Sequence, residues 1–357
     1  MNPEFWLNKR VFLTGHTGFK GSWISLWLQL MGSNVLGYAL APNTNPSLFN
    51  LAQVSSGMTS IFGDINDPKL LKKTMQNFKP DIVIHMAAQA LVRYSYANPI
   101  DTFRTNIMGT VNLLEAARNT NSIRAIINVT SDKCYQNTNK NSGYIEDDSL
   151  GGFDPYSSSK SCSEIVTDAY RKSYFNEHYI PEHKVGIATA RAGNVIGGGD
   201  WSTDRLIPDF LRSMADNKPI IIRKPNSVRP WQSVLDALSG YLLLGELLYN
   251  QAEKYSEAWN FGPDSNNEQQ VEWIVKNLIK NWEYDPGYEI KKELNKLHET
   301  DILKLNCSKA KKGLGWSSKL DIEDTLKDLC DWHKLHLKGE NMRKISIRQI
   351  NKYMEIN

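Results

Sequence analysis

Tyr156 and Lys160 stand four residues apart in DPYSSSK, a spacing that puts a phenol and an ammonium on one face of a helix. A phenol with an ordinary pKa of about 10 is a poor base near neutrality, but an adjacent positive charge favours its phenolate. The pair could therefore take a proton from a hydroxyl group. Asp154 and Pro155 read as a helix cap followed by proline at the first helical position, which places the pair in the opening turns. The spacing alone decides little, because Tyr288 and Lys292 repeat it in YEIKK with nothing else of a site around them. Ser131 adds the missing context. It ends the apolar run AIINVTS, and a hydroxyl at a strand end can hydrogen-bond the substrate oxygen that Tyr156 deprotonates. Asp132 and Lys133 follow directly; outside such a site they would read as a turn or a surface ion pair.

A second constellation lies near the N-terminus, where TGHTGFKG places Gly15, Gly18 and Gly21 after an apolar run and before a helical pattern. Glycines so spaced let the backbone turn tightly and approach a pyrophosphate that faces a helix N-terminus. The whole loop, Gly15, His16, Thr17, Gly18, Phe19, Lys20 and Gly21, is the expected cofactor cradle, with His16 against the phosphates and without a catalytic role. A carboxylate for the ribose hydroxyls is expected about 20 residues further on, yet Tyr38, Ala39, Leu40 and Ala41 occupy that place, and there is no acidic residue between Glu4 and Asp64. Nor is there a Lys or Arg between Lys20 and Lys69 to hold a 2′-phosphate. NAD is favoured over NADP, and comparatively weak binding is expected. Asp64, with Ile65 after it, is a candidate for the adenine edge; the alternative is a helix-capping role, since Asn66 and Asp67 precede Pro68.

The elements that must position these groups alternate along the first half of the chain: VFLTG, a helix over about 21–31, NVLGYAL, TSIFG, IVIHMAA from Ile82, AIINVTS and KVGIATAR. Such alternation predicts an α/β fold, a Rossmann-type doubly wound parallel sheet whose ligands sit at the carboxyl ends of the strands. After Arg191 the texture changes to a glycine-rich loop, a short strand PIIIR and helical stretches around 238–248 and 271–282. This predicts a smaller substrate lobe interleaved with the sheet: a dinucleotide-binding domain over 1–190 with a return segment near 229–258, a lobe over 191–228 and 259–340, and a basic tail over 341–357, read as a solvated helix. His85, ending an apolar strand, reads as a packed histidine.

Composition bounds the function. The 357 residues are 41% hydrophobic and 23% charged, ordinary globular usage. A net charge of +3 offers no ground for a nucleic-acid or membrane partner. Cys134, Cys162, Cys307 and Cys330 include no CxxC pair, so neither a metal site nor a disulfide framework is expected. With no apolar run long enough for a signal peptide or a membrane span, the cytoplasm is the expected compartment.

TGHTGFKG, the HMAAQ segment from His85, the Ser131, Tyr156 and Lys160 set and RAGNVIGGGDW from Arg191 resemble the extended short-chain dehydrogenases/reductases that act on nucleotide-sugars. Within them GHTGFKGSW, SDKCY, DPYSSSK, RLIPD and RPWQ are similar to the 4,6-dehydratases of the CDP-glucose branch, over about residues 10–316. Related dTDP-glucose dehydratases carry Asp-Glu where this chain has Asp132 and Lys133. The resemblance implies NAD as cofactor, CDP-glucose as substrate and a homodimer or homotetramer. It also implies cofactor contacts from Ala87, Ala88 and Gln89 and from Tyr156 and Lys160. Lys133 is implied as the base at sugar C5, Asp132 as the acid at the departing C6 hydroxyl, and Asn194, Arg205 and Arg229 as the diphosphate and nucleotide contacts. A nucleotide-sugar 4-epimerase would share Ser131, Tyr156 and Lys160 but has no use for Asp132 and Lys133; a catalytically silent dinucleotide sensor is a further alternative.

Overall fold

A computed structural model describes residues 1–264, 267–282, 284–291 and 303–356. Seven parallel strands form its main sheet: β1 (Arg10–Thr14), β2 (Asn34–Ala39), β3 (Thr59–Phe62), β4 (Ile82–His85), β5 (Ala125–Val129), β6 (Gly186–Ala192) and, numbered later in the chain, β10 (Ala258–Phe261). Their order is β10-β6-β5-β4-β1-β2-β3, and the strand sequence reverses between β1 and β4, where ligands of such sheets bind.

Period-two alternation divides the side chains between two cores. Val11, Leu13, Ile82, Ile84, Ala125, Ile127, Ala188 and Ala190 face one core, which is closed by the helices Phe19–Leu30 and Val234–Asn250. Phe12, Val83, Ile126 and Ile187 face the other, beneath the helices Pro68–Phe78 and Gly109–Arg118. With both faces covered, the strands read as continuous apolar runs. The helix Phe19–Leu30 buries residues all round its circumference, including Trp23, Ile24 and Trp27, because it lies between the sheet and later helices.

The lobe has its own small sheets. β7 (Asn194–Ile196) pairs in parallel with β9 (Val228–Ser233), which pairs antiparallel with β11 (Glu268–Gln270). β8 (Ile220–Ile222) pairs with β12 (Tyr288–Ile290). A third core, built around Phe210, Trp231, Ile274, Leu278, Leu326 and Leu329, ties them to the helices Leu206–Ala215, Val271–Trp282 and Ile322–Leu337.

β10 starts at the end of the expected return segment and runs three residues past it, pairing with β6 as the edge of the main sheet. One arrangement differs from the sequence expectation. The C-terminal segment is a helix, Met342–Glu355, but not a solvated one: Met342, Ile345, Ile350 and Tyr353 are buried in the first core, and the Tyr353 ring meets that of Trp27 edge-on at 5.5 Å. Its basic residues occupy the other face, and that mixture masks the apolar stripe when the segment is read by composition. No helix among the described residues is long and apolar enough to cross a membrane.

Candidate active site

The glycine loop fits a pyrophosphate. Gly15 has φ +76°, and a Cβ there would come within 2.8 Å of the Ala87 nitrogen. A Cβ on Gly21 would lie 2.0 Å from the Gly15 carbonyl oxygen, so the loop can close only without side chains at both positions. Gly18 caps the helix Phe19–Leu30 with no side-chain hydrogen bond, and a Cβ there would meet only the Gly15 oxygen, at 3.4 Å. The first-turn N–H groups thus face open space, the arrangement that receives an anion.

Other predicted cofactor residues divide. Phe19, Lys20 and Ala88 line a cleft of about 410 Å³. Lys20 Nζ donates to the Tyr241 hydroxyl at 3.3 Å, and its pKa falls to about 7 because burial, then Lys160 and Arg205, disfavour its charge. Thr17 ties the loop to the end of β2 by donating to the Leu40 carbonyl at 2.8 Å. The His16 ring does not face the loop's open side. It is fully buried, 2.7 Å from the Ser60 hydroxyl and edge-on to Phe49, and burial lowers its pKa to about 4. Ile65 is likewise packed into the second core. Asp64 is exposed, with its carboxylate accepting from the Asn66 N–H at 2.8 Å, while Asp67 caps the helix Pro68–Phe78. Ala87 N–H donates to Thr14 Oγ1 at 3.1 Å. The Gln89 side chain is spent on the Leu91 carbonyl and on the Thr102 hydroxyl of the helix Pro99–Phe103. His85 is buried between Thr14 and Thr110, as a packed histidine would be.

Around the cleft the predicted catalytic residues meet. Asp154 caps the helix Pro155–Ser173, accepting from the Ser157 N–H at 2.9 Å, and Pro155 opens it. Tyr156 and Lys160 therefore project from its first two turns, both buried. Burial raises the Tyr156 pKa to about 12, with the Ser131 hydroxyl opposing the rise. Burial lowers that of Lys160 to about 8, and its Nζ donates to the Val129 carbonyl at 3.2 Å. Ser131 donates to Asp132 Oδ1 at 3.0 Å and caps the turn Asp132–Cys134. Asp132 Oδ2 is buried and has no hydrogen-bond partner among the described residues. Burial raises this carboxyl's pKa, although Lys133, Ser131 and Arg229 oppose the shift. Ser131, Asp132, Lys133, Tyr156, Lys160, Asn194, Arg205 and Arg229 all line the one cleft.

Its mouth is bridged by charge. Arg205 pairs with Asp200 at 3.1 Å, and Asp204 accepts from Arg223 at 3.3 Å while lying 3.9 Å from Arg93. The competing pair is elsewhere: Tyr288 donates to Glu272 at 2.7 Å in the lobe, and Lys292 lies outside the described residues. Among the described residues no cluster of His, Cys, Asp or Glu could hold a metal ion.

Sequence reasoning missed Asn106, Ser95 and Glu164. Asn106 sits in a π-helical stretch, Arg104–Met108, whose widened turn lets its amide hold the Gln89 main chain on one side and the Ser159 hydroxyl, at 2.8 Å, on the other. Ser95 accepts from the Tyr156 N–H at 3.2 Å. No local spacing marks these residues, since each acts on a segment distant in the chain.

The family model described as GDP-mannose 4,6 dehydratase matches residues 12–329. CDP-glucose 4,6-dehydratase of Salmonella typhimurium is 50% identical over 354 residues, 99% of this chain and 98% of the relative. Two solved structures share the fold at low identity. The dTDP-glucose 4,6-dehydratase of Bacillus anthracis in complex with NAD has a TM-score of 0.77 at 20% identity, over 94% of this chain and 99% of that one. The UDP-glucose-4-epimerase of Stenotrophomonas maltophila with bound NAD and formylated UDP-arabinopyranose has 0.80 at 20%, over 93% and 100%. The chain therefore belongs to the GDP-mannose 4,6 dehydratase family, within the extended short-chain dehydrogenases/reductases.

Proposed function

We propose that the protein is an NAD-dependent hydro-lyase that converts CDP-glucose to CDP-4-dehydro-6-deoxyglucose and water, a step of deoxysugar synthesis of the lipopolysaccharide type. The observation that carries this reading is Asp132: a buried carboxyl with a raised pKa and an unpartnered oxygen, in one cleft with Lys133 and the Ser131, Tyr156 and Lys160 set. An oxidoreductase or a 4-epimerase needs the last three alone. The half-identical relative over 99% of the chain supports the CDP-glucose substrate.

Gly15, Gly18 and Gly21 would hold the pyrophosphate of NAD, which would supply the hydride acceptor for sugar C4 and the hydride donor for C6. Tyr156 accepts the proton of the C4 hydroxyl, with Ser131 hydrogen-bonded to the same oxygen and Lys160 favouring the phenolate. The C4 ketone acidifies the C5 proton, which Lys133 removes and gives back to C5 as the hydride adds at C6. Asp132, whose pKa burial raises, is the acid that delivers a proton to the C6 hydroxyl, which leaves as water. Arg205 and Arg229, with Asn194, hold the diphosphate, for which a guanidinium fork is suited.

Two copies associate in this reading through the flank that carries Tyr156 and Lys160, where Ile100, Met108 and Ile165 are exposed apolar residues. Four free cysteines accord with a reducing cytoplasm. The test is incubation with NAD and CDP-glucose deuterated at C4. A 4-keto-6-deoxy product carrying deuterium from C4 to C6 of the same molecule is expected. A galacto epimer would assign an epimerase, and no reaction a silent binding protein.

A further inference from the structure

Behind the reacting groups lies a buried carboxylate that the chemistry above does not use. Glu164 follows Lys160 by one helical turn and is 3% exposed. Its Oε1 accepts from the Thr130 hydroxyl, and its Oε2 from the Thr189 hydroxyl at 2.7 Å and from Arg191 Nη2 at 2.9 Å. Arg191 is itself fixed, donating to the Tyr135 hydroxyl at 2.7 Å and to the Glu146 carbonyl at 2.9 Å. One carboxylate thus joins the helix Pro155–Ser173 to the end of β5 and to β6. Thr130 is the residue before Ser131, so its grip reaches the strand-end hydroxyl directly. Replacing a buried ion pair with apolar residues is often neutral or stabilising, so fold stability is a weak reason for one here.

We propose that Glu164 is a positioning residue of the active site: gripping Thr130, it fixes Ser131 relative to Tyr156, and its charge, backed by Arg191, sets the electrostatic surroundings of Lys160. The proposal rests on the reading of Tyr156 as the base. Burial pushes the Glu164 carboxyl up, but the Arg191 charge and the hydrogen bonds from Arg191, Thr130 and Thr189 outweigh it, so the group stays ionised. That charge in turn opposes the loss of the Lys160 proton. The other groups facing Lys160 among the described residues are Lys20 in the first turn of the helix Phe19–Leu30, His85 at the end of β4, Cys134 in the turn after β5 and Tyr156 on its own helix.

Glu164→Gln keeps the shape and removes the charge. Protons nearby are then held less firmly, so the Tyr156 and Lys160 pair releases its first proton at lower pH. Lys160 is one turn away and Tyr156 two, so the loss falls mainly on Lys160, and a larger share of enzyme carries protonated Tyr156 beside a neutral amine. The expected result is a kcat about tenfold lower with KM little changed, and an acid limb of the kcat/KM profile moved down by about 0.5 pH unit. Thr130→Val cuts the grip and leaves the charge, so kcat should fall several-fold with the limb in place. Structural loosening alone would lower Tm without moving the limb. A folded Glu164→Gln enzyme with an unmoved limb overturns the proposal, as does parental kcat in Thr130→Val, which also decides the matter if Glu164→Gln does not fold. Tyr156→Phe is run alongside: should it turn over normally, the reading of the base fails, not the role of Glu164.

Discussion

The two ends of the main sheet are built from different materials. Around β1 and β2 and along β3, what is available to a dinucleotide is main chain and carbon, Gly15 and Gly18, then Leu40 and Phe62, which are 63% and 59% exposed, with one exposed carboxylate, Asp64, after β3. Around β5, β6 and the helix Pro155–Ser173 it is ionisable side chains taken out of water, Asp132, Tyr156, Lys160, Glu164 and Arg191. Backbone recognition tolerates side-chain change until a Cβ has nowhere to go. Recognition and chemistry by buried charges depend on individual atoms, because low local dielectric strengthens each interaction and makes each unpaired group costly. In the proposed reading the chemistry falls at the second end, and cofactor affinity, with no carboxylate at the end of β2 to supply it, at the first.

The contrast breaks if the side-chain end is insensitive to single atoms. Tyr156→Phe removes one oxygen, and kcat should fall about 1,000-fold while calorimetric affinity for CDP-glucose stays close to the parent's. Parental turnover would abolish the distinction at once. Lys133→Ala probes the same end at a later step. It should still develop the absorbance of reduced nicotinamide on adding CDP-glucose, yet form product about 100-fold more slowly. Elimination at the parental rate would make the place of Lys133 beside Asp132 structural.

Two changes sharpen the picture of the backbone end. Gly21→Ala adds one methyl, 2.0 Å from the Gly15 oxygen at its ideal position, so the loop must shift. NAD affinity should fall about 30-fold and stability by about 1–3 kcal/mol, read by titration and thermal unfolding; parental values would show that the loop is not the cradle. The smallest effect is a gain. The parent is expected to exchange NAD readily and to be stimulated by adding it, and Leu40→Asp should tighten NAD about tenfold, roughly 1.4 kcal/mol, with kcat at saturating NAD unchanged. Stoichiometric NAD surviving extensive dialysis of the parent would contradict the premise.

Some of this was legible before any coordinates. The glycine spacing, the cap Asp154 with Pro155, the pair Tyr156 and Lys160 and the apolar runs of β1, β4 and β5 each depend on geometry within a few residues, which a local pattern carries. The placement of Ser131 at the end of β5 followed from topology, because parallel sheets put ligands at strand ends. Tertiary structure alone decided the rest. His16 turned inward because Gly37 leaves room for its ring, which a Cβ there would meet at 2.3 Å. Ile65 entered the core because Gly109 lies against it, and the Gln89 amide was taken up by Thr102. The tail helix docked because Trp27 and its neighbours needed cover. Glu164 found Arg191 and Thr130 across 27 and 34 residues. In each case the deciding partner is distant in sequence, and side-chain direction is fixed by what packing leaves open, which no spacing along the chain encodes.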